Sequence, residues 1–459
     1  QDAEGPWNGI LCYNGGWDDF DFTTSAGTVH SVAEGDSVTV MGTVDEYYCS
    51  TCDDGLTEIV DVTDVIVHGS AVNMISPTVV TPGQVMTGGT DAEAYEGCLV
   101  KVENVTVDDA DLGNGEWSVT DGTNAMRVDD IWDYYYFPES GQSLAGVAGV
   151  MTYTYSNTKL EPRLARDVVE ADGDPVRLQR IQQVLYSDLL NTGDDSESDI
   201  SYMSGDTVTV VGIVTMPTGL SYAGTCGKKF IYQDLNGGPW SAILTYSPGE
   251  INPYTGDCEQ VLQNLFIGDV VEITGYIDEF TTVDPATGDQ SNMTELFRID
   301  VPNILSVGED LPGVEVVETG DLRWPTTAEQ WGNVTVKVEE GIVTGNDYQY
   351  DIFEVDDGSG GVLVDDDSDS IYTYFDAVGP PPMGTFVSSI TGWVYHHYGS
   401  YSDSTTYKLE PLYMSDIEFG AGPPVFSDVS RDPCAPGPSD GVEVSAEIID
   451  NSAVVSAEI

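Results

Sequence analysis

The residues best suited to chemistry in this chain are carboxylates. Asp365-Asp366-Asp367-Ser368-Asp369 forms a D-x-D-x-D run beside Asp356-Asp357-Gly358, and Asp121, Asp129 and Asp130 occupy corresponding places earlier. Hard divalent cations take about six to eight oxygens, which clustered carboxylates and loop carbonyls supply. Calcium is therefore the expected cofactor, with Asp121, Asp129, Asp130, Asp357, Asp365, Asp366, Asp367 and Asp369 as candidate ligands. No segment fits the EF-hand loop, and Asp-rich turns facing water are the competing reading.

Catalysis finds little support, and no enzyme is expected. Of the four His, none lies in H-E-x-x-H, and no G-x-S-x-G nucleophile elbow occurs. His396-His397, between Tyr395 and Tyr398, reads as a strand-hairpin feature rather than a ligand pair. A glycosidase pair needs two carboxylates at a defined separation across a cleft, which a sequence does not display. The tyrosine clusters Tyr134–Phe137 and Tyr372–Phe375 read as core or interface packing. Asn104, Asn292 and Asn333 each open an N-x-T sequon.

Seven Cys in a β-rich chain point to an oxidising, extracellular setting. Cys226 and Cys258 share one repeat and are expected to pair. Cys49-x-x-Cys52 has no second C-x-x-C or His pair to complete a zinc site, so a local disulfide is expected. Cys12 and Cys98 are a further candidate pair, leaving Cys434 odd.

The elements that must position these residues follow from the bulk numbers. At 459 residues the chain holds several domains. The 40% apolar content, with 25 Tyr and 8 Trp, builds real cores despite the charge. Alternation of Thr, Val and Tyr between Gly and Asp turns marks an all-β protein. One helical stretch is expected, Pro175 to Asn191, from Leu178, Ile181, Val184, Leu185 and Leu189. The net charge is −65, from 79 acidic against 14 basic residues, so at least 65 carboxylates lack a basic partner in the chain. Nucleic acid is excluded on that ground, since its binding rests on Lys and Arg neutralising phosphates. There is no apolar run of about 18 residues, hence no membrane insertion is expected. With no basic-then-apolar leader before it, Gln1 reads as a mature terminus.

Internal repeats order the chain as A, B, A′, B′. Gly35-Asp36-Ser37-Val38-Thr39-Val40-Met41-Gly42 matches Gly268-Asp269-Val270-Val271-Glu272-Ile273-Thr274-Gly275, and Thr57-Glu58-Ile59 matches Thr294-Glu295-Leu296. A second pair links Val100-Lys101-Val102-Glu103 with Val336-Lys337-Val338-Glu339, and Lys159-Leu160-Glu161-Pro162 with Lys408-Leu409-Glu410-Pro411. The boundaries are 1–76 for A, 77–172 for B, 173–310 for A′ with its helical lead-in, 311–420 for B′, and 421–459 for a Pro/Gly linker and tail. The G-D-x-V-x-V-x-G-x-V…T-E-[IL] grammar, preceded by Phe230-Ile231-Tyr232-Gln233-Asp234, resembles the OB-fold modules of secreted bacterial nucleases and cell-surface proteins. The resemblance implies four tandem OB-like β-barrels. OB-folds bind oligonucleotides or oligosaccharides on one face; the strands here lack the basic residues of nucleic-acid binders.

One irregularity sets the functional expectation. Gln1-Asp2, Gly5-Pro6-Trp7, Ile10-Leu11 and Tyr13 repeat as Gln233-Asp234, Gly238-Pro239-Trp240, Ile243-Leu244 and Tyr246. The second copy follows two strands, near Thr207–Val214 and Lys228–Tyr232; the first copy has nothing before it. The tail offers Val442 to Ile448 and Ala453 to Ile459 around Asp450-Asn451-Ser452, two orphan strands with period-2 alternation. Four domains of roughly 25–35 Å each would part the ends by up to about 100 Å, so the tail is expected to reach another molecule. The arrangement is like that of a donor-strand-complemented filament subunit, a head-to-tail homopolymer. Donor positions are Val442, Val444, Ala446, Ile448, Val454, Val455, Ala457 and Ile459; acceptor positions are Gln1, Asp2, Trp7 and Ile10. The alternatives are a tail folded back on its own chain and a monomeric secreted protein binding glycans or peptides.

Overall fold

The structure is a computed structural model. It describes residues 1–13, 21–24, 27–49, 52, 55–69, 75–189, 199–251, 253–256, 258–259, 262–283, 288, 290–298, 300–346, 351–396, 407–420, 425–432 and 443–449. The chain divides into two units, Gln1–Ser187 and Asp188–Ile459.

Three five-stranded barrels close on themselves. In B the order is Leu99–Gly113, Glu116–Thr120, Ala125–Val128, Asn157–Glu161, Ser143–Thr154 and back to Leu99–Gly113. In A′ it is Thr207–Met216, Lys228–Gln233, Ala242–Ser247, Gln290–Arg298, Val270–Val283 and back to Thr207–Met216. In B′ it is Thr335–Gly345, Phe353–Asp356, Val362–Val364, Tyr407–Glu410, Phe386–His396 and back to Thr335–Gly345. Numbered along the chain, each barrel runs 1-2-3-5-4-1, with strands 3 and 5 parallel. That is the Greek-key order of an OB-fold. Alternation places Val102, Val105, Val107, Trp117, Val119 and Leu160 in the B core.

The glycine of V-x-V-x-G is required by close approach. A Cβ at Gly275 would stand 2.4 Å from Leu296 Cδ2, one at Gly42 2.5 Å from Ile59 Cγ2, and one at Gly341 2.3 Å from Val355 Cγ1. The fourth strand of A and of A′ can lie across the fifth, and the first strand of B′ across the second, only where no side chain intervenes.

A is different. Leu11–Cys12, Leu56–Gly69 and Ser37–Tyr47 form a three-stranded sheet, with the first two parallel and the last two antiparallel. These are strands 3, 5 and 4 of the OB order. Of the four expected OB-like domains, three are closed barrels, and A, expected to lack its first strands, is a three-stranded sheet among the described residues.

The helical reading also needs correction. Pro175 to Asn191 holds two short helices, Leu178–Gln182 and Tyr186–Leu189, rather than one. A longer helix not anticipated runs Asp369–Val378, opened by Ser368, whose side chain accepts from the Ser370 N–H. Ile371 and Phe375, four residues apart, bury its inner face. The presumed linker contains a strand, Val425–Asp432, and this pairs antiparallel with Glu443–Ile449. The tail strand therefore meets the segment before it; residues 450–459 lie outside the described residues. Both expected disulfides, Cys49–Cys52 and Cys226–Cys258, are formed. Cys12 and Cys98 are free thiols, against the expected pairing. Among the described residues no helix is long and apolar enough to cross a membrane.

Candidate functional site

The open sheet of A is the most unusual surface of the first unit. Its strand Ser37–Tyr47 pairs with Leu56–Gly69 alone among the described residues, and ten of its eleven positions are exposed. Val38 is 38% exposed, Met41 44%, Val44 66% and Tyr47 48%. The equivalent strand of A′, Val270–Val283, pairs with Thr207–Met216 on one edge and Gln290–Arg298 on the other. There Val271 is fully buried and Ile277 is 1% exposed. The two sequences align without a gap through Gly42 and Gly275, with an apolar residue at both Val38/Val271 and Val40/Ile273, so the difference lies in the neighbours.

The register of A′ says what A would accept. Thr207 to Ile213 runs antiparallel against Tyr276 to Val270, which corresponds to Thr43 to Ser37. Lys228–Gln233 runs antiparallel to Ala242–Ser247, whose counterpart is Leu11–Cys12. A sheet edge left open in this way presents unpaired N–H and C=O groups, a template for another strand.

The four residues expected to form the acceptor sit beside this edge, at the joint with B. Gln1 Oε1 accepts from the Leu99 N–H at 2.7 Å, and the Trp7 N–H donates to Ala94 O at 2.6 Å. The Asp2 N–H donates to Asn8 O, and Ile10 is 38% exposed. The second unit repeats the joint: Trp240 N–H donates to Gln330 O at 2.6 Å, and both Trp residues take a left-handed φ, 63° and 61°. The Gly-Pro-Trp motif therefore clamps an A-type module to its B-type neighbour. Of the donor positions, Val444, Ala446 and Ile448 lie on Glu443–Ile449; Val442, Val454, Val455, Ala457 and Ile459 lie outside the described residues.

Most of the candidate metal ligands already have work. Asp121 accepts from the Thr123 and Asn124 N–H groups, both at 2.8 Å, and these bonds hold its carboxyl below the usual range. Asp357 accepts from Thr319 and Ser359. Asp129 meets Lys159 Nζ at 2.6 Å, and the same ammonium holds Glu116 at 2.6 Å. Asp367 meets Lys229 Nζ at 3.0 Å, and Asp369 lies in the first turn of the helix Asp369–Val378. Asp130 packs against Gly115; its carboxyl is pushed up by burial and then by Asp129. Asp365 stands 4.0 Å from Lys408 Nζ. Asp366 is pushed up to about 7 by burial and its acidic neighbours. Among the described residues no three His, Cys, Asp or Glu side chains converge on a common point for an ion.

Sequence reasoning missed a buried cluster in the second unit. His396 is 2% exposed, with Asp199 and Glu329 beside it. The alternation of Phe386–His396 does signal that His396 faces inward, but nothing local announces its partners. His397 lies outside the described residues. Two sequons are also inaccessible: Asn292 and Asn333 are each 2% exposed, while Asn104 is exposed.

The faces on which OB-folds take ligands are the outer surfaces of strands 2 and 3. In A′ they are covered. Ile231, Ala242, Leu244 and Met293 join Trp393, Tyr407 and Leu409 of B′ in one apolar cluster. Phe230 and Tyr232, on the other side of the same strand, are fully buried too. In B a shallow cavity of about 290 Å³ remains on this face, lined by Leu112, Ser118, Ala125, Arg127 and Asn157 among others.

The OB assignment rests on strand order alone. No family model matches the chain, and no curated protein does. Among solved structures, the tetrameric p202 HIN2 aligns at 11% identity over 46% of this chain and 91% of that one. A deletion mutant of the single-stranded DNA binding protein from Thermus aquaticus aligns at 11% over 47% and 95%. A Replication Protein A heterotrimer bound to ssDNA aligns at 10% over 72% and 93%. All three have a TM-score of 0.15, too low to carry an argument.

Proposed function

We propose that this chain is a structural, non-enzymatic subunit of an extracellular filament, polymerising head to tail as residues 442–459 of one copy enter the open sheet of A in the next. One observation carries the reading. Ser37–Tyr47 is exposed along its length, while its counterpart Val270–Val283 sits in a closed barrel. Covered strand faces in A′ and a charge of −65 both favour a scaffold over a nucleic-acid binder. The disulfides agree with an oxidising compartment.

Electron microscopy of the purified chain tests it. Fibres are expected, deletion of residues 442–459 is expected to abolish them, and a synthetic 442–459 peptide in excess is expected to cap growing ends. Fibres that persist after the deletion sink the proposal. A deletion variant that stays monomeric but binds the peptide places the tail in trans.

The proposal includes calcium at B′. Its support is that Asp366 Oδ2 and Glu410 Oε1 are buried without a hydrogen-bond partner among the described residues. Calcium is expected to raise the melting temperature of the second unit, and a chelator to reverse the gain; an unchanged melting curve removes calcium from the proposal. A monomeric binder of glycans or peptides is the second reading, favoured by the cavity on B. Glycan binding lost on Arg127→Ala, in a chain that forms no fibres, would select it.

A further inference from the structure

Within the second unit, one buried polar cluster joins A′ to B′ beside an apolar contact and the Lys229–Asp367 ion pair. Asp199 precedes the first strand of A′, Glu279 lies on its fourth, Glu329 lies on the helical turn Glu329–Trp331, and His396 ends the fourth strand of B′. Asp199 and His396 are 1% and 2% exposed. His396 Nδ1 stands 3.0 Å from Glu329 Oε2, and Nε2 3.8 Å from Asp199 Oδ2. Nε2 stands beyond hydrogen-bond distance from Asp199, so that attraction is one of charge, while Nδ1 is at contact distance from Glu329. The ring stacks on Tyr407 at 4.2 Å, and the Tyr407 hydroxyl donates to Glu329 Oε2 at 2.5 Å. Asn292 donates to Asp199 from its N–H at 2.9 Å and from Nδ2 at 2.6 Å. Glu279 accepts from the Ser201 N–H at 3.0 Å and from Thr294 Oγ1.

Two carboxylates, Asp199 and Glu329, face one imidazole here, and a third, Glu279, lies close enough to both to feel their charge. With every group ionised the cluster carries two uncompensated negative charges at a site largely shut from water, where repulsion is strong. A bound proton relieves it. The other charges at this joint do not: Lys229 is engaged by Asp367 at 3.0 Å, and Glu295 and Glu410 add negative charge.

We infer that Asp199, Glu279, Glu329 and His396 form a proton-dependent lock between the two barrels of the second unit, closed in mild acid and loosened as the pH rises past neutrality. The inference stands apart from the filament reading. Burial, then the nearby carboxylates, pushes Glu279 up to about 8. Burial raises Asp199, with Glu329 adding to it. Burial opposes the charged form of His396, but Glu329 and Asp199 outweigh it and raise the imidazole. All three folded-state values lie above the ordinary ones. The stabilisation is therefore fully present below the ordinary values and is lost as pH rises through the folded ones, for Glu279 between 4.5 and about 8. The apolar contact persists above that window, so the joint opens locally and more often without unfolding.

Hydrogen exchange of the full chain, corrected for intrinsic rates, tests this at about pH 6 and about pH 8.5. Amides of 199–206 and Phe386–His396 are expected to lose about tenfold in protection at the higher pH, while the B barrel keeps its protection. Glu279→Gln, which keeps an acceptor for Ser201 but cannot ionise, is expected to shrink that loss. Equal protection at both pH values overturns the inference, and so does an undiminished loss in Glu279→Gln. If that variant does not fold, carbon-13 labelling of the four His decides. One imidazole titrating clearly above 6.5 supports the lock; four ordinary midpoints overturn it.

Discussion

A and A′ carry the same strand with opposite surroundings. Val38 and Val44 of A align with Val271 and Ile277 of A′, yet the first pair is 38% and 66% exposed and the second 0% and 1%. Alternation makes each strand one-sided in the same way; it does not supply the sheet that covers that side. A buried strand is thus a property of the pair, and in A that pair is incomplete among the described residues. B and B′ sharpen the point. Lys159 satisfies Asp129 and Glu116 at 2.6 Å each, whereas Lys408 stands 4.0 Å from Asp365 and Asp366 keeps an unpartnered oxygen. In each pair the two copies differ in what completes them.

The largest effect is expected from giving A the neighbours that A′ has. Residues 199–232 end where Gln233-Asp234 begins, the position that Gln1-Asp2 holds in A. Fusing a second copy of 199–232 ahead of Gln1 is expected to close the sheet in cis. Fibre formation should be lost, and the melting temperature of the first unit should rise by several degrees, as about 1 kcal/mol moves a small domain by 4–8 °C. Fibres formed by the fusion at the normal rate would break the comparison.

A pair of matched truncations comes next in size. Ile277→Ala removes a fully packed side chain and is expected to cost about 2–5 kcal/mol in denaturant unfolding of the second unit. Val44→Ala, at the aligned position, is expected to cost less than about 0.5 kcal/mol in the free subunit. The same Val44→Ala should raise the concentration needed for fibres, since the side chain is buried only on assembly. Equal costs for the two in the free subunit would mean that A is closed in solution.

Much of this was legible from the residues. The G-D-x-V-x-V-x-G repeat and the T-E-[IL] return placed the fourth and fifth strands because turns and alternation are local. Cys49–Cys52 was legible for the same reason, and Cys226–Cys258, 32 residues apart, because both fall in one repeat. The helix Asp369–Val378 was not: its Tyr372-x-Tyr374-Phe375 matches Tyr134-x-Tyr136-Phe137, which is neither helix nor strand, with Tyr134 and Tyr136 buried. Tyr372 and Tyr374 are instead 54% and 45% exposed on that helix. The Ser368 cap was the signal overlooked. Val425–Asp432 was hidden by its flanking prolines and glycines, although Val425, Ser427 and Val429 alternate with polar or aromatic residues. The His396 cluster joins residues up to 197 positions apart (396 − 199), and such pairing is settled only by tertiary packing.

Proton uptake on assembly is the smallest effect and the most discriminating. Glu46 and Glu58 of A align with Glu279 and Glu295 of A′, and Thr57 donates to Glu46 as Thr294 does to Glu279. In the closed barrel, burial lifts Glu279 to about 8 and Glu295 to about 7. A donated strand that covers A should impose the same burial on Glu46, whereas Glu58, 7% exposed, is already as covered as Glu295 at 8%. Glu58 is already raised in the free subunit by burial and then by Asp45. Values raised in the assembled state give a stabilisation that is complete in mild acid and is lost as pH climbs through about 7 to 8. The critical concentration for fibres is therefore expected to fall about tenfold between pH 8 and pH 6. General relief of the −65 charge predicts a fall of the same sign, so the double variant Glu46→Gln, Glu58→Gln separates the two causes. It should assemble with much less dependence on pH. If the variant keeps the full dependence, the closed state of A does not resemble A′ at these positions, and the comparison fails where it is most specific.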